Sequence, residues 1–153
     1  MLTSKTKYGL KALIILARMY KSGDVVSISQ ISEWEKIPVK FMEAILAELK
    51  NRGVVRSKRG PGGGYALAGS PESISLADVI RWLNGPLALV PCVSEYAYSP
   101  CGDCNDIQSC GIRLIMREVR DATVQVLQTK TLGDLVRRCD EAAQYDEAPM
   151  YMI

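Results

Sequence analysis

Apolar residues recur at helical spacing through the first fifty positions, and short β-branched segments follow. Thr3 or Ser4 can cap a first helix running to about Tyr20, and the nearly continuous apolar run from Leu13 to Ala17 implies that most of its faces are covered. Gly23 and Asp24 end it. Ser27-Ile28-Ser29-Gln30 has the form of a capping box and predicts a short helix to about Glu35, with Ile28, Ile31 and Trp34 as candidate inward positions. Pro38 suits the first position of a third helix, where its missing N–H has no intrahelical partner. There Met42, Ile45, Leu46 and Leu49 recur at i, i+3, i+4 and i+7, which leaves Lys40, Glu43, Ala44 and Ala47 on the opposite face. Gly53 closes that helix.

Val54 to Lys58 and Tyr65 to Ala68 read as two short strands, and Arg59-Gly60-Pro61-Gly62-Gly63-Gly64 between them reads as the tip of a hairpin. Ser75-Leu76-Ala77-Asp78 opens a fourth helix through Leu83, terminated by Asn84-Gly85-Pro86. From Leu87 to Cys110 the chain is irregular. Ile112, Ile115, Met116, Val119, Thr123, Val126 and Leu127 then mark one stripe of a long helix to about Gln128, a stripe that calls for a partner. Thr131 caps a last short helix to about Arg138, and the acidic tail from Asp140 is expected to be loosely held, with Met150-Tyr151-Met152-Ile153 able to dock. Helix, helix, turn, helix and hairpin is the order of a winged helix-turn-helix. The expected fold is mainly α with a small β-hairpin, a winged helix-turn-helix followed by a long dimerisation helix. The expected organisation is a DNA-binding domain over 1–85, a cysteine-rich sensor loop over 86–110, the dimerisation helix and a short helix over 111–139, and an acidic tail over 140–153.

Composition sharpens the functional picture at three points. Residues 1–66 hold 12 Lys+Arg against 5 Asp+Glu, whereas 67–153 hold 7 against 12, so the net charge of +2 conceals a basic front and an acidic back. A polyanion is the natural partner of the front. Histidine is absent, which removes Ser-His and Cys-His nucleophilic catalysis and every mixed Cys/His metal site. The longest uncharged run, Trp82 to Ser94, contains two prolines and falls short of the roughly 20 apolar residues of a spanning helix. With no secretory signal at the start, the chain is expected to be cytoplasmic and to have no membrane partner.

Burial of the apolar stripe of the third helix would leave its other face, beginning with Val39, Lys40 and Glu43, free to enter a major groove. A glutamate there can accept from cytosine N4, while Lys40, Lys50, Arg52, Arg56, Lys58 and Arg59 attract phosphate regardless of sequence. The hairpin glycines permit positive φ and close approach to a sugar-phosphate backbone, and Arg59 at the base of the wing can enter a narrow minor groove. The glycine-rich loop is not a nucleotide cradle, because it joins two strands and no Gly-Lys-Ser/Thr follows.

Four of the five cysteines, Cys92, Cys101, Cys104 and Cys110, fall in the spacing C-x8-C-x2-C-x5-C, and Cys139 stands apart. Such clustering in a cytoplasmic chain favours metal or redox chemistry over structural disulfides. Four thiolates complete an iron-sulfur cluster, of two-iron two-sulfur or four-iron four-sulfur type, and would equally hold a tetrahedral zinc ion. Thiol-disulfide sensing without metal and chemically inert cysteines are the other readings, and a thiol oxidoreductase built on Cys101-x-x-Cys104 is the enzymatic rival.

Leu2-Thr3-Ser4-Lys5, the segment Ile28 to Leu49 and the run Gly53 to Tyr65 with its Arg59-Gly60-Pro61-Gly62-Gly63-Gly64 core resemble the Rrf2 family of bacterial repressors, over nearly all of residues 1–138. The resemblance implies a homodimer on double-stranded, palindromic DNA, with the long helix crossing its mate and a cluster-bearing loop before it. It implies DNA contacts from Ser4, Lys5, Pro38, Lys40, Phe41, Glu43, Lys58, Arg59, Gly60, Pro61 and Gly62, with Glu43 as the recognition-helix glutamate and Arg59 as the wing arginine. Iron-sulfur members carry serine where this chain has Lys40, and a C-x5-C-x5-C triad with a histidine as fourth ligand. Here the spacing differs and histidine is missing, so any cluster would be held by thiolates alone.

Overall fold

The computed structural model describes residues 2–102, 104 and 106–146, with residues 145 and 146 described by backbone only. Among the described residues six α-helices and one two-stranded antiparallel hairpin follow in the order α1 (Ser4–Arg18), α2 (Ile28–Glu35), α3 (Val39–Asn51), β1 (Val55–Lys58), β2 (Gly64–Leu67), α4 (Leu76–Asn84), α5 (Gly111–Gln128) and α6 (Leu132–Asp146). Single 3₁₀ turns occupy Pro71–Ser73 and Pro91–Val93. Among the described residues no helix is long and apolar enough to cross a membrane. Contacts divide the chain into two compact units, one holding the residues up to Ile74 together with those from Thr131 onward, the other Ser75–Lys130.

In the first unit the helix-turn-helix forms for local reasons. Thr3 caps α1 by accepting from the Thr6 N–H, and Leu13 and Leu16 on α1 are fully buried. The capping box at α2 is complete: the Ser27 hydroxyl accepts from the Gln30 N–H at 3.2 Å, and the Gln30 side chain accepts from the Ser27 N–H at 3.0 Å. Lys36, at φ 53°, turns the chain out of α2 in the left-handed region. Trp34, expected inward, is 52% exposed. Ser32 shares the buried side of α2 with Ile31, and at about 100° per residue Trp34 lies about 60° outside that arc, on the side away from Ser32. Pro38 is the N-cap of α3, one place earlier than expected, and its carbonyl accepts from Phe41 and Met42. Met42, Ile45, Leu46 and Leu49 are fully buried. The predicted stripe on α3 is therefore the core, worth roughly 2 kcal/mol per fully buried aliphatic side chain.

The hairpin pairs Val55 with Leu67 and Lys58 with Gly64, and an isolated bridge adds Val26 to its edge: Val26 N–H donates to Tyr65 at 2.9 Å and Tyr65 N–H returns to Val26 at 2.8 Å. That bridge ties the wing to the segment before α2. The last helix runs on to Asp146 and is no short helix ending near Arg138. Good helix formers, Glu141, Ala142, Ala143 and Gln144, carry it through the stretch expected to be loose. Arg18 pairs with Asp140 at 2.5 Å and Arg137 with Glu72 at 3.0 Å, which fastens α6 to its own unit. The proposed docking of Met150 to Ile153 lies outside the described residues.

In the second unit α4 and α5 pack together around the 3₁₀ turn at Pro91–Val93. Arg120 of α5 donates to the Val93 carbonyl at 2.6 Å, and Arg113 donates to the Cys92 carbonyl at 3.3 Å, so two guanidinium groups of one helix hold the start of the cysteine segment. No residue of α5 is buried. Ile112, Ile115, Val119 and Val126 of its predicted stripe are 70%, 55%, 39% and 58% exposed, an apolar face left without a cover.

A candidate nucleic-acid interface and a cluster of thiols

The exposed side of α3 and the wing enclose an open groove of about 470 Å³. Glu43, Lys58 and Arg59, three of the residues expected to meet DNA, line it, together with Lys50. Val39, Ser27, Ile28, Ser29, Ser57, Gly63, Gly64 and Tyr65 complete the wall. The serines were not foreseen, because nothing local to Ser27 or Ser57 in the sequence says that the α2 cap and the first strand of the wing face one space. Among the described residues Lys40, Lys50, Lys58 and Arg59 form no ion pair, so their charge is unspent. A concave site lined by several cations and one exposed carboxylate suits a polyanion with donor groups in its groove.

The other expected contacts sit outside the groove lining. Lys40 and Phe41 are exposed on the first turn of α3, and Phe41 meets Tyr8 of α1 edge-on, with ring centroids 5.7 Å apart. Ser4 is exposed at the start of α1, while Lys5 is committed to Glu48 at 2.5 Å, a pairing that weakens its claim on phosphate. Pro38 is exposed beside Val39, and Gly60, Pro61 and Gly62 form the exposed wing tip, with φ of 91° at Gly60 and 70° at Gly62.

All five cysteines are free thiols; Cys92 is buried and the other four are half-buried. The Cys104 thiol is pushed up from its ordinary pKa, first by desolvation and then by Cys110, whose sulfur is both an electrostatic and a hydrogen-bonding neighbour, with Cys92 contributing further. Those causes bring two of the other expected ligands, Cys110 and Cys92, within electrostatic reach of Cys104. Cys101 joins them through the backbone, its carbonyl accepting from the Cys104 N–H at 3.5 Å. Asp106 shapes the exit of the loop: it accepts from the Ser109 hydroxyl at 2.6 Å and the Gln108 N–H at 2.9 Å, which lowers its pKa. Among the described residues no three thiol or carboxylate groups are closed into a metal cage. The donor set nevertheless has the chemistry of a soft-metal site: cysteine sulfur only, with Cys110 and Cys92 near Cys104, in a segment pinned by Arg113 and Arg120.

Comparison with known proteins gives concordant results. The family model Rrf2, described as an iron-dependent transcriptional regulator, matches residues 2–138. An rrf2-like HTH-type transcriptional regulator of Rhodobacter capsulatus is 38% identical over 146 residues, covering 94% of this chain and 97% of that protein. Among solved structures, CymR, the global cysteine regulator of Bacillus subtilis, is 30% identical with a TM-score of 0.73, covering 90% of this chain and 97% of its own. IscR of T. potens is 28% identical with a TM-score of 0.72, covering 93% and 90%.

Proposed function

This chain belongs to the Rrf2 family of transcriptional regulators, and from that premise we propose that it acts in the cytoplasm as a homodimeric repressor of palindromic operators, with its cysteine loop as the sensor. Its relatives are transcriptional regulators and not enzymes, so the thiol-oxidoreductase reading of Cys101-x-x-Cys104 falls away. The observation that carries the DNA-binding reading is the groove between α3 and the wing, which Glu43 lines together with Lys50, Lys58 and Arg59, three cations with no ion pair among the described residues. In it α3 would lie in a major groove, Glu43 would accept from cytosine N4, and the wing would follow the adjacent backbone. Each phosphate neutralised releases counterions, so the test is the salt dependence of affinity for a duplex. Lys58→Ala is expected to lower the log–log salt slope by about 2, roughly one contact from each wing of a dimer, and to weaken all duplexes alike. An unchanged slope would remove the wing from the phosphates.

Cys92, Cys101, Cys104 and Cys110 are the residues that would hold an iron-sulfur cluster, of either the two-iron or the four-iron type. Bound there, such a cluster supplies one-electron redox chemistry and sensitivity to oxidants. The chain's own part is to present four thiolates and to transmit their arrangement through Arg113 and Arg120 to α5. Zinc would satisfy the same thiolates but would supply no redox signal. Anaerobic purification is expected to yield a coloured protein with iron and sulfide in equal amounts, and Cys104→Ala to lose both. A metal-free thiol switch, with or without a partner protein as co-regulator, is favoured by the nearness of Cys110 to the Cys104 thiol and by the likeness to a cysteine regulator. Colourless, iron-free protein that loses two titratable thiols on mild oxidation would select it.

A further inference from the structure

We infer that Val39 reads the 5-methyl group of a thymine lying one or two base pairs from the base that Glu43 contacts in each half-site. The inference deepens the DNA-binding reading above and rests on it. Every apolar residue on the inner side of α3 is fully buried, yet Val39, the first residue of the helix, is 43% exposed. A single exposed aliphatic residue is ordinary by itself. Val39 is distinguished by where it points: it lines the same groove as Glu43, Lys58 and Arg59.

Val39 and Glu43 are four residues apart, so their Cβ atoms lie about 5–6 Å from one another on one side of the helix. Stacked bases are about 3.4 Å apart, which makes that separation one to two base steps. Ala47, also exposed, continues the same side and adds no bulk that would hold the helix away from base edges. Valine has no donor or acceptor. Against adenine, guanine or cytosine it would strip water from polar atoms and return nothing, which costs free energy. In the major groove only thymine offers an apolar group, its methyl. Glu43 and Val39 together therefore specify a cytosine with a nearby thymine.

The experiment begins with duplexes selected from a random library by the full-length protein, followed by replacement of each thymine with deoxyuridine, which removes the methyl and changes nothing else. One thymine per half-site, within two base pairs of a conserved cytosine, is expected to lose about fourfold in affinity for the wild type, the equivalent of one buried methyl group. Val39→Ser should be indifferent to that replacement while keeping its thermal melting point, since the side chain is outside the core. Glu43→Ala should retain the thymine effect and lose preference at the cytosine. Equal deoxyuridine sensitivity in wild type and Val39→Ser, or none at any thymine, would overturn the assignment of Val39 and leave the DNA-binding reading standing. A library that yields no selected sequence would overturn both.

Discussion

Replacing Ile115 and Val119 together with lysine is expected to leave a monomer whose affinity for a two-half-site duplex is at least about 100-fold weaker than that of the wild type. Both residues are exposed on α5, 55% and 39%, in a stripe continued by Ile112 and Val126, and no residue of that helix is buried. An eighteen-residue helix with an open apolar side is unfavourable in water, and a second copy of the same helix covers it most simply. Lysines placed there would meet their own copies across a twofold axis and repel. Because the free energy of binding a palindrome is shared between two half-sites, losing one subunit divides it, and a nanomolar complex would drop by several orders of magnitude. Sedimentation and a duplex titration on the same samples check this. A variant that remains dimeric, or a monomer that binds the full duplex as tightly as before, would remove α5 from the assembly.

Gly64→Ala is expected to lower stability by about 2–4 kcal/mol, equivalent to roughly 5–15 °C in melting temperature, and to disable the wing. A Cβ at Gly64 would stand 2.4 Å from the Val26 carbonyl oxygen and 2.9 Å from the Ser27 nitrogen, both backbone atoms that cannot step aside alone. Relief would require opening the paired hydrogen bonds between Val26 and Tyr65, which join the hairpin to the start of the reading head. Gly60→Ala provides the contrast. Its Cβ would point into open space, so only the cost of positive φ applies, about 1–2 kcal/mol. Thermal melts followed by circular dichroism should rank Gly64→Ala well below Gly60→Ala, and equal melting points would show that the bridge does not hold the wing.

Much of this was legible from short-range pattern. The Ser27–Gln30 capping box, the buried stripe of α3, the glycine tip of the hairpin and the open stripe of α5 are each written within a few consecutive turns, and periodicity is enough to find them. What escaped depends on residues distant in the chain. Gly64 looks like one more flexible glycine until Val26 is seen beside it. Lys5 reads as a free cation until Glu48 pairs with it. Trp34 reads as core from its chemistry, whereas the neighbours of α2 select Ser32 for the inner side. The thiol spacing singles out four cysteines as candidates, but the nearness of Cys110 and Cys92 to Cys104 needed their positions in space.

On the proposed function, the state of the thiol loop sets the affinity of the reading head. DNA can regulate through such a loop only if it prefers one loop state to another, since a ligand indifferent to two states shifts neither. The most direct measurement compares affinity for a selected palindromic duplex, at one fixed salt concentration, between anaerobic iron-loaded protein and the same protein after chelation, with Cys104→Ala as the reference. A difference of at least about tenfold is expected between loaded and stripped protein, with Cys104→Ala matching the stripped form under both treatments. Equal affinities for loaded and stripped protein would contradict it.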